Sequence, residues 1–176
     1  MQADTITNIG YQFFWTPIGS MIGYFSSKGL CLLAFSDSKR LASKQLQLQK
    51  KCKASFKLNS NAHTNQLQKE LTEYFCGERK VFSTPLDKVI GSPFQLSVWD
   101  VLEQIPYGKT ISYKNQAITV GQPNAIRAVA NANGHNAISI LIPCHRVIGK
   151  NGTLTGYSSG LERKKFLLDL ESSFNV

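Results

Sequence analysis

Three short apolar and aromatic runs open the chain, at residues 11–15, 20–26 and Leu30–Phe35, separated by Pro17-Ile18-Gly19 and by Lys28-Gly29. Runs of this length between turn residues predict an antiparallel meander. The period then changes. Leu67, Leu71, Tyr74 and Phe75 recur at i, i+4, i+7 and i+8, the spacing of a helix with one apolar face, and Gly77 follows as its stop. Residues 53–65 are polar and unpatterned, while residues 83–92, with Pro85 and Gly91, read as the link between two units.

The second unit opens on Ser92-Pro93, where serine can cap a helix and proline can take its first position. Phe94, Val98, Val101, Leu102 and Ile105 keep one helical face until Pro106. Two short helical segments, residues 112–119 and 123–132, flank Val120-Gly121-Gln122 with helix-turn-helix spacing. In the second, Ala125, Ala128, Val129 and Ala132 form a small-residue packing face, leaving Asn124, Arg127 and Asn131 on another, which suits a helix pressed into a nucleic-acid groove. Residues 138–142 form a buried run ending at Pro143, Lys150-Asn151-Gly152-Thr153 signals a tight turn, and residues 161–170 form a last helix.

Composition narrows the class. With 42% hydrophobic residues in 176, the chain can bury a core, which argues against disorder. The first basic residue is Lys28 and no long apolar run follows the N-terminus, so neither a secretory leader nor a membrane span is expected, and the chain reads as soluble and cytoplasmic. A net charge of +9 favours an anionic partner. Residues 1–90 carry 12 basic and 6 acidic side chains against 8 and 5 in residues 91–176, so the excess is not concentrated in the second half; Lys50, Lys51, Lys53 and Lys57 read as a solvated surface. Cys31, Cys52, Cys76 and Cys144 form no CxxC pair and no zinc-finger spacing with His63, His135 or His145, so no metal is expected. Cys31 and Cys76 read as packing residues.

Cys144 is different, standing in Ile142-Pro143-Cys144-His145-Arg146-Val147-Ile148-Gly149 just after the buried run. Proline fixes the entering backbone, and a base or cation such as His145 or Arg146 can lower a thiol pKa. A buried thiol beside an unrelated histidine is nonetheless the default for an arbitrary Cys-His pair. Glu171 tips the balance: it lies on the apolar arc of the last helix between Leu167 and Leu168, where a carboxylate needs a donor. Glu171, His145 and Cys144 would then form a carboxylate–imidazole–thiol relay.

These residues carry a family resemblance. The run from Pro143 to Gly149, followed by Asn151-Gly152, Leu154-Thr155-Gly156-Tyr157 and Gly160-Leu161-Glu162-Arg163-Lys164, resembles the O6-alkylguanine-DNA alkyltransferases, also called methylated-DNA–protein-cysteine methyltransferases. Ser92-Pro93-Phe94-Gln95, Val98-Trp99, Ile105-Pro106-Tyr107-Gly108-Lys109-Thr110, Ser112-Tyr113 and Arg127-Ala128-Val129 extend it over residues 91–171, with Thr16-Pro17-Ile18-Gly19 and Glu73-Tyr74-Phe75-Cys76-Gly77 as looser matches upstream.

The resemblance implies a mixed α/β (α+β) chain: a ribonuclease-H-like domain of antiparallel strands and helices at residues 1–90, and a helical, winged helix-turn-helix-like domain at residues 91–176 that binds DNA and accepts the alkyl group. It implies direct, single-turnover repair of double-stranded DNA containing O6-alkylguanine, with some O4-alkylthymine activity, after the base is flipped out. No cofactor or membrane is involved, the protein acts as a monomer, and cooperative assembly on DNA is left open. Cys144 matches the acceptor, His145 the residue taking the thiol proton through a water, Glu171 the carboxylate orienting it, and Asn136 the brace of the active-site loop. Tyr113 matches the hydroxyl serving the departing guanine, and Arg127 the arginine that enters the stack, flanked on DNA by Asn124 and Asn131; Val147, Tyr157 and Ser158 join Tyr113 around the base. Ala130 and Ser159 stand where the family usually has glycine, and Ser159 is expected to narrow the alkyl pocket or stiffen its loop. Two rivals remain: a non-catalytic binder of alkylated DNA, against which a cysteine at the nucleophile position argues, and a cysteine hydrolase, for which no acyl pocket is visible.

Overall fold

The computed structural model describes residues 7–174. The expected meander is present as β1 (Thr7–Thr16), β2 (Gly19–Phe25) and β3 (Leu30–Phe35), paired antiparallel in sequence order. Only Pro17 and Ile18 separate the first two strands, with Thr16 opposite Gly19. β3 is buried at every position, so its side chains pack on both faces of the sheet.

Two elements depart from the sequence reading. Helix α1 (Leu41–Cys52) follows β3, and its inward face is Lys44 and Leu48. A lysine on the buried stripe breaks the apolar period, which is why the helix does not read as one. The polar stretch 53–65 holds a fourth strand, β4 (Ala54–Leu58), running parallel to β1 at the sheet's far edge, and then the start of α2 (Ala62–Phe75). An edge strand buries little: Ala54 is covered while Lys57 and Leu58 are exposed. Helix α2 is capped by Asn61, whose side chain accepts from the Thr64 amide, and ends before Gly77 at φ +77°. Cys31 is buried as expected, whereas Cys76 at the end of α2 is exposed rather than packed.

Residues 83–92 are not a free tether. Leu30 donates its amide to Pro85 and accepts from Asp87, so the segment lies along the outer edge of β3. Three residues on, Leu33 pairs in the same way with Ala137 and Ser139. The edge of β3 therefore holds both the connection between the halves and the segment leading to Cys144, and one continuous core runs from Ile9 to Leu167.

In the second half, α3 (Pro93–Glu103) has the expected Ser92 cap, with Gln95 bonding back to the Ser92 amide. The two-residue strand β5 (Ile111–Ser112) leads into α4 (Tyr113–Thr119), and α5 (Ile126–Gly134) completes the helix-turn-helix pair. Because α5 begins three residues later than the pattern suggested, its buried side is Val129, Ala132 and Asn133, while Ala128 faces solvent. Asn133 is drawn inward by a reciprocal amide pair with buried Gln116 of α4, at 2.7 and 3.0 Å. Trp99 of α3 donates to the Ala132 carbonyl at 2.9 Å, fixing the third side. A 3-10 turn at Cys144–Arg146, the short strand β6 (Val147–Ile148) parallel to β5, and α6 (Leu161–Ser173) complete the chain. None of these helices is long and apolar enough to cross a membrane among the described residues.

Candidate active site

Ile138–Leu33 pairing and Pro143 deliver Cys144 to the first residue of its 3-10 turn. Asn136 finishes the placement. Its side-chain amide donates to the Ile142 carbonyl at 2.7 Å and to Cys144 Sγ at 3.2 Å, while its oxygen accepts from the Ile138 amide at 3.0 Å. All three bonds lie within the segment, so Asn136 braces the loop and touches the sulfur with the same group.

Glu171 is fully buried and sits where its helical arc predicted. It accepts from His145 Nε2 at 2.8 Å, Arg146 Nε and Nη2 at 2.8 and 2.9 Å, Tyr74 Oη at 2.7 Å and the Gly108 amide at 3.1 Å. Burial opposes its charge, but the His145 and Arg146 bonds overcome that and hold the carboxyl near 2. An ionised carboxylate can only accept, so His145 carries its proton on Nε2 and leaves Nδ1 as a lone-pair acceptor. Nδ1 is buried and bonded to no protein atom. Burial also depresses the His145 pKa despite Glu171, so the neutral form predominates at neutral pH. The residue beside the thiol is thus a base with one nitrogen fixed and the other open.

Arg146 does not serve the sulfur as expected. Its guanidinium is spent on Glu171 and on the Ile105 carbonyl at 2.6 Å. The cations that face Cys144 are Lys44 of α1 and Lys164 of α6. Lys164 is fully buried and donates to the carbonyls of Val147 and Thr155 at 2.6 and 2.7 Å; Lys44 donates to the Asn136 carbonyl. Burial pushes both ammonium groups down to about 8. Burial likewise raises the Cys144 thiol, against the Asn136 bond and the two lysines. Nothing in the local sequence marks Lys44, which is 100 residues upstream, although Lys164 stands in a run that resembles the family.

A cleft of about 520 Å³ opens above this group, between α5 and residues 155–158. Arg127, Ala130 and Asn131 line one wall, Tyr113, Tyr157 and Ser158 the other, with Arg40 at the rim. Cys144, 5% exposed, is not itself in the lining, but its charge raises the pKa of both lining tyrosines after burial has done so. Tyr113 Oη is shared between the Thr155 and Gly156 carbonyls at 3.0 and 3.1 Å, so it must leave them to reach a ligand. A Cβ at Gly156, where φ is +55°, would stand 3.2 Å from that hydroxyl, so glycine is what lets the loop come so close.

Asn124, expected on DNA, is exposed just before α5. Two residues expected at the pocket fall elsewhere. Val147 is wholly buried in β6 and contributes its carbonyl to Lys164 rather than a side chain to the cleft. Ser159 borders the neighbouring groove beside Ile18, Asp37 and Arg163, so of the two glycine replacements only Ala130 lines the cleft.

The structure defines a mixed α/β protein that joins a four-stranded sheet to a helix-turn-helix pair and holds a braced thiol next to an imidazole oriented by a buried carboxylate. Comparison agrees: residues 9–88 match the ribonuclease-like domain of 6-O-methylguanine DNA methyltransferase and residues 93–173 match its DNA-binding domain. The methylated-DNA–protein-cysteine methyltransferase of Methanosarcina acetivorans is 40% identical over 93% of this chain and 98% of its own length. The constitutive enzyme of that name from Bacillus subtilis is 54% identical over 107 residues, a match spanning 60% of this chain and 64% of that protein. Mycobacterium tuberculosis OGT, solved in complex with DNA, superposes with a TM-score of 0.80 at 37% identity over 94% of both chains. The chain belongs to the methylated-DNA–protein-cysteine methyltransferase family.

Proposed function

We propose that this chain repairs alkylated double-stranded DNA by moving the alkyl group from O6 of guanine, and to a lesser extent from O4 of thymine, onto Sγ of Cys144. The observation that carries the reading is the tautomer imposed on His145, which leaves a buried acceptor nitrogen on the residue next to the thiol. The thiol proton passes through a water to that nitrogen, the sulfur forms a bond to the alkyl carbon, and the C–O6 bond breaks with its electron pair on guanine. Tyr113 releases the Thr155 and Gly156 carbonyls and hydrogen-bonds the departing base. The thioether is stable, so each molecule acts once.

The base reaches the sulfur by rotating out of the duplex, at a cost of about a few kcal/mol. Arg127, exposed on the cleft side of α5, fills the space it leaves, and Asn131 contacts the same groove. Tyr157 and Ser158 close over the flipped base. In this reading residues 1–90 form one domain and residues 91–176 the other, and the protein binds DNA as a monomer.

Mass measurement after mixing with an oligonucleotide containing O6-methylguanine tests the proposal. A gain of one methyl at Cys144, absent in Cys144→Ser, is expected. Tight binding with unchanged mass would instead favour a non-catalytic binder of alkylated DNA.

A further inference from the structure

Helix α1 belongs to the sheet half of the molecule, yet one of its faces is turned to the end of α5. Arg40, at its N-terminal boundary, lies 2.7 Å from His135 Nε2, and Lys44, one turn on, donates to the carbonyl of Asn136. Two consecutive residues just beyond α5 are therefore held by two cations on one side of α1. Lys44 is only 4% exposed, a costly position for an ammonium group whose hydrogen-bond partner is a neutral carbonyl. That carbonyl belongs to the residue whose side chain bonds Cys144 Sγ.

We infer that Lys44 is a positioning residue for alkyl transfer: it fixes Asn136 from across the domain boundary and presents a positive charge to the sulfur as the thiolate forms. The inference rests on Cys144 being the alkyl acceptor. It gives the ribonuclease-like half a part in the chemistry as well as in the architecture. Lys164 supplies charge from the other side through α6, but its ammonium is anchored to Val147 and Thr155 and not to the brace. The remaining groups around the thiol are Tyr113 of α4, Tyr157 of the loop and neutral His145, whose partner Glu171 is neutralised by Arg146. Around Lys44 itself stand Arg40 and His135 besides Cys144, and Arg40 lowers its proton affinity further. Among the described residues, Lys44 is the one cation hydrogen-bonded to the brace whose charge also favours the thiolate.

The test follows thiol chemistry apart from DNA. Site-resolved alkylation of Cys144 by iodoacetamide is measured against pH in the wild type and in Lys44→Met, Lys44→Gln and Lys44→Arg, with exposed Lys50→Met on the same helix as control. Because Lys44 carries its charge only below about pH 8, its loss in Met and Gln should slow Cys144 alkylation about tenfold at pH 7 and leave it near wild type well above pH 8, and Arg should restore the rate at pH 7. Methyl transfer from an O6-methylguanine oligonucleotide at neutral pH should slow about tenfold in the same two variants and recover in Arg. If Lys44→Met does not fold, Lys44→Gln, which keeps a donor for Asn136, decides alone. Wild-type reactivity at pH 7 in Lys44→Gln, or no recovery in Lys44→Arg, overturns the inference. Slowed alkylation at pH 7 in the variants of a protein that takes no methyl from DNA even as wild type refutes the acceptor reading instead.

Discussion

Glu171→Gln is the perturbation for which the structure yields a magnitude. The carboxylate is fully buried and accepts five hydrogen bonds, and its pKa lies near 2 against an ordinary 4.5. At about 1.4 kcal/mol per unit, that difference is roughly 3 kcal/mol in favour of the folded state. A second route gives a similar figure: removing the charge leaves the Arg146 guanidinium buried without its counterion, which costs about 3–5 kcal/mol. Glu171→Gln should therefore lower unfolding free energy by about 3–4 kcal/mol at neutral pH and Tm by about 10 °C. The sign with pH follows from the depressed pKa. The contribution is complete above 4.5 and fades as pH falls through about 2, with roughly 2 kcal/mol of it gone by about pH 3. Urea unfolding of wild type and variant at neutral pH and near pH 3 measures both, and the gap between them should narrow in acid. A gap that stays constant, or one under about 1 kcal/mol throughout, would refute the account of Glu171 as the charged hub. The same variant reads on chemistry. A glutamine amide can donate to His145 Nε2 and move the ring proton to Nδ1, and transfer should slow about a hundredfold with an altered pH–rate profile.

Two further expectations concern the helix pair. Arg127→Ala should weaken repair within duplex DNA by about tenfold or more while leaving reaction with free O6-benzylguanine near wild type, because only the duplex requires the base to be replaced; equal losses on both substrates would remove Arg127 from that role. Asn133→Ala strips buried Gln116 of its amide partner and should cost about 2 kcal/mol, seen as a lower urea midpoint with unchanged slope; a neutral result would mean that the amide pair does not hold α4 against α5.

The parts that were legible share a cause. The meander was visible as unbroken apolar runs between turn residues, and α3 because its inward positions are apolar and recur with the period of a helix. The same logic found Glu171 beside Leu167 on α6, but not Lys164, a second charge on the same buried stripe. α1 escaped because its inward residue is Lys44, and β4 because an edge strand five residues long buries too little to leave a pattern. Ser159 and Val147 were placed by family position, and neither lines the cleft: Ser159 borders the neighbouring groove and Val147 is fully buried in β6.

Alone, then, the order of residues determined where the chain turns, which stretches coil, and that a thiol, an imidazole and a carboxylate would share the interior of the second half. Tertiary structure decided their division of labour: Arg146 goes to Glu171, while the buried charges of Lys44 and Lys164 favour the thiolate. Periodicity records how apolar surface leaves water, a local property of each element. Which buried charge finds which partner depends on docking between segments as far apart as Tyr74 and Glu171, or Lys44 and Asn136, and no spacing along the chain encodes that.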